Sequence, residues 1–218
     1  PPRDLVGPKS HPTWVALEDT LDSQGQLLIF VGTRKSAESE ALKLSKRVQK
    51  KLLKENPEKL DIFANVIASI ESGRQSAMAD KLIECLKGGT AFHHAGLTHN
   101  QRKIVEQAFK SGIISCLTAT PTLAAGVNLP ARRVLVRDIK RWDDGMSRPL
   151  PVMEIRQMLG RAGRPKYDDF GEAWVLCKGT DGWEVADMVS EKYFFGEVEP
   201  IISKLSGEPA LRTHILSI

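Results

Sequence analysis

The segment 157–165 carries the residues of this sequence that are best suited to chemistry. It reads Gln-Met-Leu-Gly-Arg-Ala-Gly-Arg-Pro, so that Arg161 and Arg164 each follow a glycine. A guanidinium stays protonated at physiological pH, and its planar fork of donors matches the oxygens of a phosphate. Gly160 and Gly163 leave room for a ligand to approach the backbone. The pattern indicates a polyphosphate site, although a surface turn would also account for two Gly-Arg pairs.

Three other loops combine hydroxyls, small residues and backbone amides after short apolar runs. They are 32–36 (Gly-Thr-Arg-Lys-Ser), 95–97 (Ala-Gly-Leu) and 118–130, in which three threonines precede a Gly-Val-Asn turn. Hydroxyls and amides hold phosphates without reading bases, and a helix N-terminus favours anions. Ligands of parallel α/β sheets bind at loops after the carboxyl ends of strands. The loops therefore predict a phosphate-rich partner at that edge of a sheet.

The elements that must position these loops alternate between short apolar runs and helical periodicity. This alternation predicts a three-layer α/β domain with a mostly parallel sheet, a β-hairpin insertion and a short helical C-terminal extension. Thr98 and Gln101 have the spacing of a capping box that opens a helix. The predicted strands are 27–31, 90–94, 113–117, 134–136 and 173–177. The predicted helices begin near residues 14, 34, 58, 76 and 98.

Composition is that of an ordinary globular protein, with 41% apolar and 27% charged residues in a chain of 218. No apolar stretch is long enough to span a membrane, and the proline-rich start does not resemble a signal peptide, so we expect a cytoplasmic protein. The net charge is only +4, but basic residues cluster in 34–54 and in 132–148. These clusters suggest a polyanionic partner, although the first could equally be a solvated helix face.

Cysteine and histidine usage argues against a metal centre or a disulfide framework. The three cysteines are widely spaced, and we interpret them as reduced core residues. His93 and His94 are adjacent, so on a strand they point to opposite faces and do not form one ligand set. We therefore predict no metal site in this chain.

Four of these segments, in this order, resemble motifs IV, IVa, V and VI of superfamily-two helicases. The resemblance is carried by Phe-Val-Gly-Thr-Arg from residue 30, Phe-His-His-Ala-Gly-Leu from residue 92, the threonine-rich segment 118–132 and the arginine segment 157–165. The chain is most similar to the archaeal Ski-type DNA repair helicases, the Hjm group related to the helicase region of DNA polymerase theta. The similarity extends from about Leu21 to the C-terminus.

The resemblance implies a second RecA-like motor domain that closes on a first one, with ATP in the cleft between them. It places Gln157, Arg161 and Arg164 at the nucleotide, with Arg164 resembling an arginine finger on the γ-phosphate. It brings Gly126 and Asn128 close to the phosphates and ribose. It also implies contacts with the backbone of a single DNA strand for Thr33, Arg34, Gly96, Thr118 and Thr120.

The same resemblance places a strand-separating β-hairpin between motifs V and VI. Asp144-Gly145 is a hairpin signal in this region, and Arg141 and Trp142 lie just before it. An aromatic side chain can stack on the last base pair while a neighbouring cation holds a phosphate. Trp142 could instead contribute only to packing of the hairpin.

The sequence contains no Gly-x-x-x-x-Gly-Lys-Ser/Thr segment and no Asp-Glu-x-His segment. In this family both belong to the first motor domain, where they bind phosphates and Mg²⁺. We therefore expect ATP and Mg²⁺ to be used by the full-length enzyme and neither to be bound by this chain alone. The expected organisation is a linker (1–12), a second RecA-like domain (13–186) and the start of a winged-helix domain (187–218).

The predicted protein is a monomeric ATP-dependent 3′–5′ DNA helicase of repair and fork processing. Its expected partners are forked or single-stranded DNA and the first motor domain, with no membrane. The sequence is also compatible with two alternatives. A Ski-type RNA helicase would carry the same phosphate-gripping motifs, because backbone contacts do not report the sugar. A non-catalytic scaffold with a helicase-like fold is the other.

Overall fold

The fold is organised around one sheet of five short parallel strands. The computed structural model describes residues 11–55, 57–71, 76–143, 145–165, 167–178, 180 and 182–200. Within them the spatial strand order is β2-β3-β1-β4-β7, and every neighbouring pair is parallel. These strands are β1 (Leu27–Phe30), β2 (Thr90–His93), β3 (Cys116–Ala119), β4 (Arg133–Val136) and β7 (Glu172–Val175).

Helices connect the strands and cover the sheet. β1 is the central strand, and all its side chains are at most 1% exposed. Successive side chains of a strand point to opposite faces, so both faces of the sheet are covered, as in a three-layer domain. The helices are α1 (Pro12–Asp22), α2 (Arg34–Glu55), α3 (Lys59–Glu71), α4 (Ala77–Leu86), α5 (His99–Lys110), α6 (Thr122–Gly126), α7 (Val152–Leu159) and α8 (Gly182–Ser190).

Local sequence signals explain where several helices begin. Ser76 caps α4 by accepting a hydrogen bond from the Ala79 amide. Thr98 and Gln101 form the predicted capping box at the start of α5. α2 buries Ala37, Ala41, Leu44 and Val48 on one face, which is the 3.6-residue periodicity expected of it.

An antiparallel hairpin, β5 (Lys140–Asp143) and β6 (Met146–Pro149), projects between β4 and α7. Gly145 has a φ of 74°, the left-handed conformation that the predicted turn requires. The hairpin insertion is confirmed.

The C-terminal extension packs on α7. After α8 comes a single π-helical turn, Glu191–Phe195, in which the buried Tyr193 donates its hydroxyl to the Leu150 carbonyl at 3.1 Å. Glu199 accepts hydrogen bonds from the amides of Val152 and Met153, at 2.8 and 3.3 Å, and so caps α7 from outside the helix. The extension thus fixes the helix that leads into the arginine segment.

The fold class and the order of elements agree with the sequence predictions; most strand boundaries differ from the predicted ones by one or two residues, and the start of β3 by three. β3 begins at Cys116 rather than at residue 113, because the amides of Ile113 and Ile114 both bond back to the Ala108 carbonyl of α5. Those residues therefore complete the helix exit. The predicted linker 1–12 and winged-helix start 187–218 fall largely on residues outside the described ranges and remain predictions.

Candidate nucleotide and nucleic-acid sites

The loops predicted to hold phosphates lie together at the carboxyl edge of the sheet. β1, β3 and β2 are neighbours, and the register places Phe30 and His93 each beside Ala119. The loops that follow these three strand ends are therefore adjacent. Neighbouring strands are about 4.8 Å apart, so the three loops span roughly 10 Å. We call this group, comprising Thr33, Gly96 and Thr120, the carboxyl-edge loops.

Thr33 is exposed and begins the loop-to-helix turn of α2. Its hydroxyl donates to the Ser36 hydroxyl at 2.9 Å and accepts from the Ser36 amide at 3.1 Å. The preceding Gly32 amide donates to Asp138 at 2.9 Å. Arg34 is exposed at the first turn of the helix. The turn therefore presents a hydroxyl, a guanidinium and a helix N-terminus to solvent.

Gly96 is held by a buried histidine that the sequence did not single out as a support. Its amide donates to His94 Nδ1 at 3.0 Å, and a β-carbon at this position would lie 2.9 Å from the His94 ring. The ring is stacked on Phe92 with centroids 5.2 Å apart. Burial lowers the pKa of His94, so the imidazole is neutral and can accept this hydrogen bond. A side chain at position 96 would displace the support of its own loop.

His94 and the adjacent His93 contact different helices. His93 Nε2 lies 2.8 Å from Glu106 on α5, whereas His94 Nε2 lies 3.4 Å from Glu38 on α2. The alternation of side chains along a strand produces this separation, as predicted.

Thr118 and Thr120 differ although they lie two positions apart. Thr118 is fully buried, and its hydroxyl donates to the Ala37 carbonyl at 2.7 Å. A strand bound at the surface cannot reach it, so the expected DNA contact of Thr118 is corrected: it joins β3 to α2. Thr120 is half-exposed at the end of β3, with its hydroxyl 3.0 Å from that of Thr122. Thr120 keeps its predicted position at the surface.

The arginine segment lies at the opposite end of the sheet. Residues Ala131 and Ala162 form a parallel bridge in which the Gly163 amide donates to the Ala131 carbonyl at 2.7 Å. Ala131 precedes β4, so the segment follows the amino ends of the strands. The arginine segment is thus separated from the three carboxyl-edge loops by the length of the strands. We call residues 160–168 the arginine loop.

The glycine between the two arginines is required by the backbone. Gly163 has a φ of 92°, a conformation that side chains disfavour. It also lies against Gly171, where a β-carbon would come within 2.3 Å of the Gly163 nitrogen. The arginine loop and the start of β7 thus pack backbone against backbone. The two guanidiniums on either side of Gly163 bind different partners.

Arg161 joins the arginine loop to the segment that follows β3. Its Nη1 donates to Asn128 Oδ1 at 3.0 Å, and its Nη2 donates to the Ala124 carbonyl. Its Nε is buried and has no acceptor among the described residues. Gly126 lies between these two partners along the chain and is exposed, with nothing within 4 Å of where its β-carbon would be. No contact within the described chain therefore requires a glycine there.

Arg164 is held by two residues that the sequence reasoning missed, Asp168 and Gln26. Its Nε and Nη2 donate to the two carboxylate oxygens of Asp168, both at 2.8 Å, and its Nη1 donates to Gln26 Oε1 at 2.7 Å. The hydrogen bond from Arg164 lowers the pKa of Asp168, which keeps the carboxylate ionised. The i,i+4 spacing of the ion pair was visible in the sequence, but Gln26 is remote along the chain.

Gln157, the third predicted nucleotide contact, is exposed near the end of α7. The next residue back, Arg156, donates to the carbonyls of Tyr193 and Phe194, each at 3.2 Å. The helix is therefore fixed on one side by the C-terminal extension while Gln157 stays at the surface.

The β-hairpin presents Arg141 at an exposed position on β5. Its Nη1 lies 3.2 Å from Glu154 at the start of α7, so the cation is partly neutralised. The backbone of Trp142 pairs with Ser147 in the hairpin register. The Trp142 side chain lies outside the described part of the structure, so its predicted stacking role stays a prediction.

Part of the basic segment 132–148 is not available to a polyanion, although Lys140, Arg141 and Arg148 are exposed. Arg133 is 3% exposed, with Asp19 at 2.6 Å and Glu172 also in contact. Arg137 pairs with Glu40 at 3.0 Å and with Asp138 at 2.7 Å. These cations bind elements of the domain to one another. In α2, by contrast, Lys43, Lys46, Lys50 and Lys54 are exposed.

Comparison with known proteins identifies the class of this domain. Residues 43–166 match the helicase conserved C-terminal domain. The chain belongs to this family. The family match, the parallel sheet and the order of motifs together define the RecA-like, C-terminal motor-domain region of a Ski-type superfamily-two helicase.

Its curated relatives are archaeal enzymes named ATP-dependent DNA helicase Hel308. The chain is 45% identical over 213 residues to the protein of Methanocella arvoryzae, covering 97% of this chain and 28% of the relative. It is 45% identical over 192 residues to that of Pyrococcus horikoshii (88% and 25%) and 39% identical over 214 residues to that of Pyrococcus abyssi (97% and 28%). The chain thus spans about a quarter of the length of these relatives. Among the described residues, no helix is long and apolar enough to cross a membrane.

Proposed function

We propose that this chain is the second motor domain of an ATP-dependent DNA helicase that translocates 3′ to 5′ and acts in DNA repair and fork processing. The arginine loop carries the proposal: two guanidiniums are held at one end of the sheet, and Arg161 is bonded to the Gly126–Asn128 turn. The relatives named ATP-dependent DNA helicase support the same activity. A non-catalytic scaffold would have no need of this arrangement.

The residues of the arginine loop and of the turn beside it fit a nucleotide. Arg161 Nε is a buried donor without an acceptor among the described residues, and nothing lies within 4 Å of where a Gly126 β-carbon would be. In this proposal ATP is held by Gly126, Asn128, Gln157, Arg161 and Arg164. Mg²⁺ bound by the first motor domain would neutralise part of the phosphate charge. In this proposal Arg164 is the arginine finger, which stabilises the charge that develops on the γ-phosphoryl group.

The carboxyl-edge loops would hold the backbone of the translocating strand. Thr33, Arg34 and Thr120 offer hydroxyl and guanidinium donors, and Gly96 allows close approach of the chain. Contacts of this kind bind any base sequence, which a translocating enzyme requires. Thr118 has no part in this surface.

The hairpin would separate the strands of the duplex. In this proposal Trp142 stacks on the terminal base pair and Arg141 holds a neighbouring phosphate. Trp142→Ala in the full-length protein is expected to reduce unwinding severalfold while DNA-stimulated ATP hydrolysis is retained. The same substitution at the exposed Trp183 of α8 is the control, and equal losses of unwinding and hydrolysis for Trp142→Ala would indicate a packing role.

Arg164→Ala in the full-length protein tests the proposal most simply. We expect the turnover of ATP to fall by about 10³- to 10⁵-fold, as for loss of an arginine finger, with single-stranded DNA affinity retained. Arg47→Ala, which removes a guanidinium stacked over Trp14, is the control for the loss of an arginine and should leave the turnover of ATP unchanged. Lost DNA binding with intact hydrolysis would contradict the assignment.

The nucleic acid is tested by measuring which polymer stimulates hydrolysis. Single-stranded DNA is expected to stimulate the full-length enzyme more than single-stranded RNA of the same sequence. A preference for RNA would support the Ski-type RNA helicase instead. The purified 218-residue chain is expected to show no ATP turnover, because it has neither the Gly-x-x-x-x-Gly-Lys-Ser/Thr segment nor the Asp-Glu-x-His segment.

A further inference from the structure

Asp168 contacts Arg164 through both its side chain and the turn that carries it. The carboxylate accepts two hydrogen bonds from the guanidinium at 2.8 Å and one from the Arg164 amide at 2.9 Å. The Asp168 amide in turn donates to the Arg164 carbonyl at 2.9 Å. Asp168 thus fixes both the backbone and the side chain of this one arginine.

The geometry leaves part of the guanidinium available. An arginine has five N–H donors, of which Asp168 takes those on Nε and one on Nη2, and Gln26 takes one on Nη1. One N–H on each terminal nitrogen is left by these partners. A phosphate oxygen could therefore bind the terminal nitrogens without displacing the carboxylate.

Gln26 makes this arrangement rigid from the other side. Its amide nitrogen donates to the carbonyls of Phe109 and Ile114, at 2.7 and 2.6 Å, so its oxygen must face Arg164. The Asp168 side chain is only 4% exposed, and that of Arg164 is 18% exposed. A bidentate pair that is shielded from water loses little of its strength to screening.

We propose that Asp168 is a positioning residue that fixes the Arg164 guanidinium for phosphoryl transfer. This inference rests on the proposed role of Arg164. A guanidinium that is already oriented needs no reorganisation when charge develops on the phosphate, and preorganisation of this kind lowers the barrier rather than tightening substrate binding. The neighbouring Asp169 is exposed and serves as a matched control.

Steady-state hydrolysis by the full-length protein tests the proposal. With Asp168→Asn, which keeps the size of the side chain but loses the bidentate acceptor, we expect kcat to fall about 10- to 100-fold and KM for ATP to change by less than about threefold. Single-stranded DNA affinity should not change. Asp168→Glu, which keeps the charge, should recover part of the lost kcat, and Asp169→Asn should resemble the parent enzyme.

A double-mutant cycle separates this inference from the proposed function. If Asp168 acts through Arg164, adding Asp168→Asn to Arg164→Ala lowers kcat no further. If Arg164→Ala abolishes hydrolysis but Asp168→Asn and Asp168→Glu both resemble Asp169→Asn, the inference is overturned and the role of Arg164 stands. If Arg164→Ala itself hydrolyses ATP normally, the proposed role of Arg164 has failed. An additive loss in the double variant, or a change confined to KM, would also overturn the inference.

Discussion

In the proposed function both ends of the central sheet would bind phosphate groups, but their side chains are held in different ways. At the carboxyl edge, the Thr33 hydroxyl bonds to the hydroxyl and amide of Ser36, and the Thr120 hydroxyl bonds to that of Thr122. At the amino edge, each guanidinium of the arginine loop is bonded to at least two partners of its own chain. The hydroxyls of the carboxyl edge make few hydrogen bonds, whereas the guanidiniums of the amino edge are oriented by their own chain before any ligand binds.

This difference suits the two functions proposed for these ends, strand translocation and ATP hydrolysis. A strand that slides must exchange its contacts repeatedly, so weak and equivalent donors are suitable. Phosphoryl transfer depends on charges already in place, so a guanidinium held by carboxylate and amide groups is suitable. The contrast therefore concerns preorganisation more than the number of basic residues.

One segment of the chain links the carboxyl-edge loops to the arginine loop. It runs from Thr120 through α6 (Thr122–Gly126) to Asn128, which accepts the hydrogen bond of Arg161. A displacement of this segment by bound strand would therefore reach the arginine loop directly. We expect coupling between DNA binding and hydrolysis to depend on it.

At the amino edge, Arg161→Ala is expected to cause the largest loss of ATP hydrolysis after Arg164→Ala. It removes both the link to Asn128 and a predicted phosphate contact, and we expect kcat for ATP to fall by about 10²-fold or more. DNA affinity in the absence of nucleotide should change less than twofold. Steady-state hydrolysis and fluorescence anisotropy with labelled single strands are the measurements, and a larger loss in DNA affinity than in kcat would reverse the comparison.

A pair of glycine substitutions tests both ends with the same added methyl group. Gly96→Ala should collide with the His94 ring and weaken single-strand binding by about 10-fold, because the loop must shift. Gly126→Ala meets no neighbour and should leave DNA binding intact while raising KM for ATP. If both variants affect the same ligand, the two ends are not separate sites.

Thr118→Val and Thr120→Val compare a buried with a surface threonine at the end of β3. The first removes a buried hydrogen bond to the Ala37 carbonyl and should cost about 1–3 kcal/mol of unfolding free energy, with DNA affinity per folded molecule unchanged. The second should leave stability nearly intact and weaken DNA binding about two- to tenfold. Chemical denaturation and anisotropy would distinguish them. A Thr118→Val protein that is stable but defective in DNA binding would contradict its burial.

The smallest expected effect is on pH dependence, through the histidines behind the carboxyl edge. Burial lowers the pKa of both His93 and His94 below 6.5, so the unfolded chain binds more protons than the folded one near and below that pH. The contribution of the neutral histidines to the free energy of unfolding is therefore fully present above about pH 6.5. It decreases as the pH falls, by about 1.4 kcal/mol for each unit by which the pKa of the folded state lies below that of the unfolded state. Thermal unfolding between pH 8 and 5 should show a smaller decrease for His94→Gln, and an equal decrease would argue against a neutral His94.

Periodicity and local signals predicted most of the fold. The apolar face of α2 and the capping box of α5 depend on neighbours within a few residues, so the sequence displays them directly. The β3 boundary was wrong because helix exit and strand start compete for Ile113 and Ile114. Resolving that competition needs tertiary contacts.

Prediction of the site was limited by burial and by long-range pairing. Thr118 has the same type and nearly the same position as Thr120, and only the packing of α2 over β3 separates a core residue from a surface one. The basic residues Arg133 and Arg137 looked like a binding surface because their acidic partners, among them Asp19 and Glu40, lie far away in sequence. Gln26 was missed for the same reason.

Hydrogen exchange of the full-length protein, measured with each ligand alone, tests the separation of the two ends most directly. Single-stranded DNA should slow exchange in 32–36 and 95–98, while a non-hydrolysable ATP analogue should slow it in 126–128 and 160–168. Protection of the arginine loop by DNA alone, with no effect of the nucleotide analogue there, would contradict the assignment of ATP to the amino edge and of DNA to the carboxyl edge.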